Sequence, residues 1–228
     1  MRLVFLTGAG VSAESGLRTF RDSDGLWEQY RITDVATPEA WRRDPALVLT
    51  FYGLRYAQAI AAQPNAAHQA IAELERDFDV HVVTQNIDDL HERAGSTQVL
   101  HLHGEIRKVR STRDPQLVTP IEGAYPTLGD RCALGSQLRP HIVWFGEEVP
   151  LLSTAAAIVS RADVLIVVGS SLQVYPAAGL VHAAPHGTPL HLVDPNDVDF
   201  PLGRVTHWKE KASLGVPKLA DLLRKEFA

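Results

Sequence analysis

The sequence is poor in three features, and each absence excludes a class of protein. Among 228 residues there is a single cysteine, Cys132, which excludes an internal disulfide framework and is typical of a reducing compartment. The net charge is −5, so there is no basic excess to bind nucleic acid. No apolar run approaches the ~20 residues of a membrane-spanning helix. We therefore expect a cytoplasmic protein without a secretory leader that binds neither nucleic acid nor membrane.

The hydrophobic content of 45% is enough for a full core, and short apolar runs alternate with helical patterns. This alternation predicts an α/β fold: a Rossmann-like parallel sheet with helices on both faces, plus a small lobe formed by two insertions. The predicted strands are Leu3–Thr7, Val80–Thr84, Val99–Leu102, Ile142–Phe145, Val164–Val168 and Leu190–Val193. Ligands of open α/β sheets bind beyond the carboxyl ends of the strands, so we expect the site there.

We expect one domain over residues 1–228. Its Rossmann-like lobe would comprise 1–21, 65–104 and 138–228, and its small lobe 22–64 and 105–137. Thr37 and Asp44 each precede a proline, which predicts two helix starts. The second helix is expected to reach residue 63, and two others to span 66–76 and 216–227.

A glycine-rich turn follows the first predicted strand. Gly8, Gly10 and Ala13 fit the G-x-G-x-x-A dinucleotide fingerprint, in which a tight turn leads into a helix whose free N–H groups meet a pyrophosphate. A purely structural turn is the alternative. The following Phe20-Arg21 favours a binding role, because a buried structural turn does not need an arginine beside a phenylalanine.

Polar residues follow two other strands. Gln85, Asn86 and Asp88 suit hydrogen bonds to a ribose or a carboxamide, although a polar turn capped by Asp88 is the simpler alternative. Gly169, followed by Ser170 and Ser171, reads as a second turn for phosphate or ribose, or as the cap of the next helix.

Two histidines alternate with leucines at the end of a further strand. His103 lies next to Gly104, where its imidazole can reach the crevice and act as a general base near neutral pH. The alternatives are a core histidine or half of a metal site, but no further metal ligands have suitable spacing. We interpret His103 as the base and His101 as structural.

The segment at residues 139–147 ends in large apolar side chains and a glycine. It is either a core strand or a hydrophobic slot lined by Val143 and Phe145. In the second case, backbone at Gly146 and Glu147 could accept an extended peptide by strand addition.

Together these motifs resemble the sirtuin family of NAD-dependent protein lysine deacylases. The resemblance rests on residues 8–21, 25–27, 84–88, 103–104, 139–147, 169–176 and 194–195, which follow the family's order over nearly the whole chain. It implies that NAD is consumed, giving nicotinamide and O-acyl-ADP-ribose, with acylated-lysine proteins as substrates. The catalytic residues would be His103, Asn86 and Asp88. The cofactor would be held by Gly8, Ala9, Gly10, Ala13, Glu14, Phe20, Arg21, Trp27, Gln85, Asn86, Asp88, Gly169, Ser170, Ser171, Asp194 and Ala212, and the substrate by Tyr52, Arg55, Val143, Phe145, Gly146, Glu147 and Val174.

Tyr52 and Arg55 lie three residues apart on one face of a helix. A solvated arginine beside a half-buried tyrosine is the plain interpretation. The pair also resembles the Tyr-x-x-Arg of the sirtuin branch that removes succinyl and malonyl groups, whose distal carboxylate a guanidinium can bind.

The segment at 105–138 departs from the family, which usually holds a structural zinc there with two cysteine pairs. Ser111-Thr112-Arg113 stands in the region of the first pair and only Cys132 remains of the second, so we predict no structural zinc. We expect instead a short loop packed by residues such as Leu117, Ile121, Tyr125 and Leu128.

Two other functions use the same motifs: mono-ADP-ribosyl transfer or NAD hydrolysis, and NAD binding without catalysis. The intact His103, Asn86 and Asp88 argue against the second. We expect a monomer.

Overall fold

The structure is a computed structural model that describes residues 1–17, 26–27, 30–198 and 205–227. The strands are β1 (Arg2–Thr7), β2 (Leu26–Trp27), β3 (Tyr30–Arg31), β4 (Asp79–Thr84), β5 (Val99–His101), β6 (Gly104–Ser111), β7 (Val118–Pro120), β8 (Leu138–Ile142), β9 (Val164–Val168), β10 (Leu190–Val193) and β11 (Val205–Trp208). The α-helices are α1 (Ile32–Val35), α2 (Pro38–Arg43), α3 (Pro45–Ala61), α4 (Ala66–Glu73), α5 (Leu90–Ala94), α6 (Leu152–Val159) and α7 (Ala212–Phe227). The described helices include none long and apolar enough to cross a membrane.

The main sheet is parallel and has the strand order β11-β10-β9-β1-β4-β5. Its central strand β1 is buried on both faces. Leu3 and Phe5 belong to the core beneath α4 and α7, whereas Val4 and Leu6 pack on the side of α6. Such two-sided burial explains why these strands are continuous apolar runs. The predicted Rossmann-like sheet with helices on both faces is confirmed.

The small lobe combines α1–α3 with an antiparallel sheet of order β7-β6-β8, joined through an apolar core. The predicted strand Ile142–Phe145 of the parallel sheet is wrong, because the strand is β8, which pairs antiparallel with β6. In β8 the buried Pro140 and Ile142 alternate with half-buried Arg139 and His141, as in a sheet with one covered face. The lobe boundary predicted at residue 138 therefore falls inside the small sheet.

Both predicted helix starts are capped. The Thr37 hydroxyl accepts the N–H of Ala40 at 3.0 Å, and the Asp44 carboxylate accepts that of Leu47 at 2.9 Å. Helix α3 ends at Ala61, before Pro64.

Several local features differ from the predictions. The helix expected after Gly10 is two short 3-10 turns, Ala9–Val11 and Ala13–Ser15. Strand β11 was not predicted, because its polar residues at the sheet edge hide the apolar pattern. Helix α7 begins at Ala212 rather than at 216, and α4 ends at Glu73, continuing as a 3-10 turn to residue 76. Leu128, expected to pack the small lobe, is 59% exposed.

Candidate functional site

A cavity of about 800 Å³ lies at the carboxyl ends of β1, β4, β9 and β10 and extends to the small lobe. Among the residues predicted to act in the site, those lining it are Gly8, Ala9, Gly10, Ala13, Glu14, Tyr52, Gln85, Asn86, His103, Val143, Phe145, Gly146, Glu147, Gly169, Ser170, Ser171, Val174, Asp194 and Ala212. Asp88 and Arg55 do not line it. Phe20 and Arg21 lie outside the described residues, and of Trp27 only the backbone in β2 is described.

The glycines of the first turn are needed for contact between two loops. A Cβ built on Gly10 would lie 2.6 Å from the Cα of Gly169, and one on Gly8 would lie 2.7 Å from the Gly169 carbonyl. Gly169 itself has a φ of +59° and a Cβ there would lie 2.3 Å from the nitrogen of Val11. The N–H groups of Gly8 and Gly10 donate to the carbonyls of Val168 and Gly169, and that of Val11 donates to the Gly8 carbonyl, so backbone hydrogen bonds hold the two loops together.

Ser12 connects this turn to the polar residues after β4. Its hydroxyl accepts the Asn86 side-chain amide at 3.1 Å and donates to the Asp88 carboxylate at 3.2 Å. His68 Nδ1 accepts the N–H of Asn65, so its Nε2 carries the proton and lies 3.4 Å from the Ser12 hydroxyl. Burial raises the pKa of Asp88, although its hydrogen bonds from Leu90 and Ser12 oppose the shift. Asp88 thus lies beneath the cavity wall and orients Asn86 through Ser12.

His103 has the geometry of a general base. Its Nδ1 lies 3.1 Å from the Gln85 carbonyl, which can only accept, so Nδ1 carries the proton and Nε2 keeps its lone pair. Burial lowers the pKa of His103, and the hydrogen bond to Gln85 only partly opposes this. By contrast His101 is fixed between the Asn86 carbonyl at 2.9 Å and Glu92 at 2.7 Å, as expected of a structural histidine.

Polar side chains line the part of the cavity at the carboxyl ends of β9 and β10. Gln85 donates to the Ser170 hydroxyl at 3.1 Å, and one Asp194 carboxylate oxygen accepts the backbone N–H of Asn196 at 2.9 Å. The Glu14 carboxylate accepts the N–H of Ser213 at 3.0 Å, in the first turn of α7. Glu14 therefore serves the helix start as well as the cavity wall.

The opposite end of the cavity belongs to the small lobe. Tyr52 lines it and is 1% exposed, and Arg55, one turn further along α3, is 8% exposed. Burial raises the pKa of the Tyr52 phenol well above its usual value, although Trp144, Arg139 and Arg55 lower it. The phenol is therefore neutral and can donate a hydrogen bond. The Arg55 guanidinium lies 3.3 Å from the Gln58 side-chain oxygen.

Sequence reasoning missed several wall residues: Ile32, Ala36, Ile87, Ile142, Trp144, Val149, Tyr175, Pro176, Val193, Pro195, Asn196 and Lys211. Most are apolar, and only the tertiary fold brings them together. Trp144 could have been found from its neighbours, but strand alternation would place it on the face opposite to Val143 and Phe145. Because the segment is a turn, all three line the same cavity.

Two serine hydroxyls and the Cys132 thiol form hydrogen bonds in the segment where sirtuins usually hold a structural zinc. The Ser136 hydroxyl lies 2.8 Å from that of Ser111 and 3.1 Å from the Cys132 sulfur. Hydrogen bonds from both serines lower the pKa of Cys132 to about 7. Within the described residues there is no group of three His, Cys, Asp or Glu side chains placed to hold a metal ion.

Comparison with known proteins now decides the family. The profile of the Sir2 family matches residues 8–176. The chain belongs to the Sir2 family, the sirtuins. A relative from Bacteroides thetaiotaomicron, named NAD-dependent protein deacylase, is 52% identical over 227 residues, covering 97% of each chain. A Sir2 homologue solved as an NAD complex has a TM-score of 0.90 at 44% identity, covering 100% of this chain and 91% of the other. A Sir2 complex with p53 peptide and NAD⁺ has a TM-score of 0.78 at 33% identity, covering 98% and 92%.

Proposed function

We propose that this sirtuin is an NAD-dependent protein-lysine deacylase that prefers acyl groups ending in a carboxylate. The observation that carries the preference is the buried, neutral Tyr52 phenol in the cavity wall, one helical turn from the buried Arg55. Family membership and relatives of about half identical sequence support the reaction class.

The residues present fit NAD. The cavity has the size of a large ligand site, and its lining includes the amides of Gln85 and Asn86, the hydroxyls of Ser170 and Ser171 and the carboxylate of Asp194, which suit ribose and carboxamide. Asn86 would hold the nicotinamide half, Gln85 a ribose, and the loop at 169–171 with Asp194 the adenosine half. When bound, NAD supplies a ribose carbon that is activated by a positively charged leaving group. Ser12 and Asp88 keep the side-chain amide of Asn86 in one orientation. This matters because the nucleophile would be the amide oxygen of the acylated lysine, a weak nucleophile that reacts only when the partners are well placed.

His103 would act as the base through its unprotonated Nε2, taking the proton of a ribose hydroxyl. Its lowered pKa keeps the ring neutral at physiological pH, and the Gln85 carbonyl fixes the tautomer.

The acidic-acyl preference would come from Tyr52 and Arg55 together. The neutral phenol in the cavity wall would donate one hydrogen bond to a distal carboxylate, and the Arg55 guanidinium, buried behind this wall, would add a charge-assisted one on reaching the cavity. An acetyl group has no distal carboxylate, so it could accept neither of these hydrogen bonds.

The Arg55→Met variant tests this preference. We expect kcat/KM for a succinyl-lysine peptide to fall about 100-fold, the size of a lost charge-assisted hydrogen bond, with less than about threefold change for the acetyl-lysine peptide. Arg42→Met, which removes an exposed arginine of α2, is the matched control. Products are followed by mass spectrometry. An equal fall for both peptides would show that Arg55 has no carboxylate role, and nicotinamide release without peptide conversion would favour ADP-ribosyl transfer or NAD hydrolysis.

We further propose that the small lobe holds no structural zinc. The hydrogen-bonded Ser111, Cys132 and Ser136 support this, since a single thiolate with two neutral hydroxyls is a poor zinc ligand set. Metal analysis of tag-free protein should find less than stoichiometric zinc, and stoichiometric zinc would contradict the proposal.

A further inference from the structure

A tight turn at residues 144–147 forms the wall of the cavity next to Tyr52. The N–H of Glu147 donates to the Trp144 carbonyl at 3.0 Å, which closes the turn, and all four of its residues line the cavity. We call it the 144–147 turn. A substrate lying in the cavity would meet its backbone and the Phe145 ring.

The Glu147 carboxylate stabilises this turn through hydrogen bonds. One oxygen accepts the Trp144 N–H at 2.8 Å and an Arg139 N–H at 3.1 Å, and the other accepts from Arg139 at 2.8 Å. Burial would raise the pKa of Glu147, but the hydrogen bonds and charges of Arg139 and its neighbours lower it, so the carboxylate is ionised.

Arg139 links the turn to the small sheet by three different contacts. Beyond its two-pronged bond to Glu147, it donates to the Ile142 carbonyl at 3.1 Å, and its guanidinium carbon lies 3.4 Å from the centre of the Trp144 ring. Such planar stacking and bidentate bonding are possible for arginine but not for lysine. Arg110 faces Arg139 across the sheet and contacts the same carboxylate only at 3.3 Å.

Backbone hydrogen bonds fix the 144–147 turn and the preceding Val143 to two neighbouring parts of the cavity wall. The Phe145 N–H donates to the Ala36 carbonyl at 3.0 Å, and the Val143 N–H donates to the carbonyl of His103 at 2.9 Å. The wall that a substrate touches is therefore connected directly to the base.

We propose that Arg139 is a positioning residue: through Glu147 and Trp144 it fixes the 144–147 turn in the conformation that receives the acylated peptide. This inference rests on the proposed deacylase reaction but is independent of the acidic-acyl preference. Arg139 acts on the substrate only through the turn, so its loss should weaken productive peptide binding much more than NAD binding.

Arg139→Lys and Glu147→Gln test the inference, because both substitutions are small and leave the core intact. For each we expect the peptide KM to rise about tenfold or more, equally for acetyl- and succinyl-lysine peptides, with kcat within about threefold of wild type. The dissociation constant of NAD should stay within about twofold. Arg110→Lys is the matched control and should change the peptide KM less than about twofold, because Arg110 touches neither the Trp144 ring nor the turn backbone in the structure.

Amide hydrogen exchange gives a readout that does not depend on turnover. The amides of residues 144, 145 and 147 should exchange at least about tenfold faster in Arg139→Lys, with β1 unchanged. The inference is overturned if exchange in the turn is unchanged, if the melting temperature falls without a change in peptide KM, or if Arg110→Lys has the same effect. If the wild-type protein converts no acylated peptide, the proposed function fails, and exchange in the turn then decides this inference alone.

Discussion

The two ends of the cavity are built in different ways. At the end beneath β1 and β9, backbone packs on backbone: Gly8 and Gly10 touch Gly169 so closely that no side chain fits between them. At the end facing the small lobe, side chains do the same task, since Glu147 and Arg139 hold the 144–147 turn. His103 belongs to both ends, through its ring at Gln85 and its carbonyl at Val143.

The difference indicates where each end tolerates change. Backbone packing leaves no adjustable group, so a substitution there affects stability and cofactor geometry together. A side-chain cluster can be altered one contact at a time, so substrate specificity can vary at that end while the cofactor end stays fixed.

Replacement of His103 is expected to have the largest effect and to leave both ends in place. His103→Gln should lower kcat by about 10² to 10⁴-fold, the usual contribution of a general base, while the NAD dissociation constant and peptide KM change little.

In the wild type, kcat/KM should fall with decreasing pH around a midpoint below 6.5, because protonation removes the base and burial lowers the pKa of His103. Steady-state kinetics from pH 5 to 9 measures both. An acidic midpoint above 7, or a peptide KM that rises with the loss of kcat, would contradict this role.

Gly169→Ala tests the rigidity of the backbone end. Its Cβ would lie 2.3 Å from the Val11 nitrogen, so we expect a loss of about 3 kcal/mol in the free energy of unfolding, from overpacking and left-handed backbone strain combined. Gly187→Ala is the matched control: its φ is +85° but nothing lies within 4 Å of the Cβ, so it should cost only about 1 kcal/mol. Urea denaturation gives both values. Equal losses would mean that strain alone, without the contact between the loops, explains the glycine.

The same contrast explains what the sequence could predict. The parallel sheet, His103 and the polar residues after β4 and β9 are local signals, because a strand and the residues after it are contiguous. The contact between the two glycine turns could not be predicted, since Gly169 lies about 160 residues away from Gly8. The positions of Arg139 and Glu147 depend on β8 pairing with β6 rather than joining the parallel sheet, and short apolar runs give no sign of which sheet they join.

The smallest effect is expected in the pH dependence of the free energy of unfolding, which should differ between the two ends of the cavity. Burial lowers the pKa of His68 to about 4, so between pH 6.5 and 4 the unfolded chain binds a proton that the native protein does not. His68 alone should therefore remove about 2 kcal/mol of stability between pH 7 and 5. Glu147 has a lowered pKa, so the stability it contributes is lost only under more acidic conditions.

His68→Gln tests this assignment, because glutamine keeps a donor toward Ser12 but does not titrate. In this variant the free energy of unfolding, measured by urea unfolding at each pH, should fall less steeply between pH 7 and 5, whereas Glu147→Gln should leave the slope unchanged. His91, which packs against His68 and whose pKa burial also lowers, should account for part of the remaining decline. If His68→Gln declined as steeply as wild type over this range, His68 would not contribute to the acid sensitivity of the cofactor end.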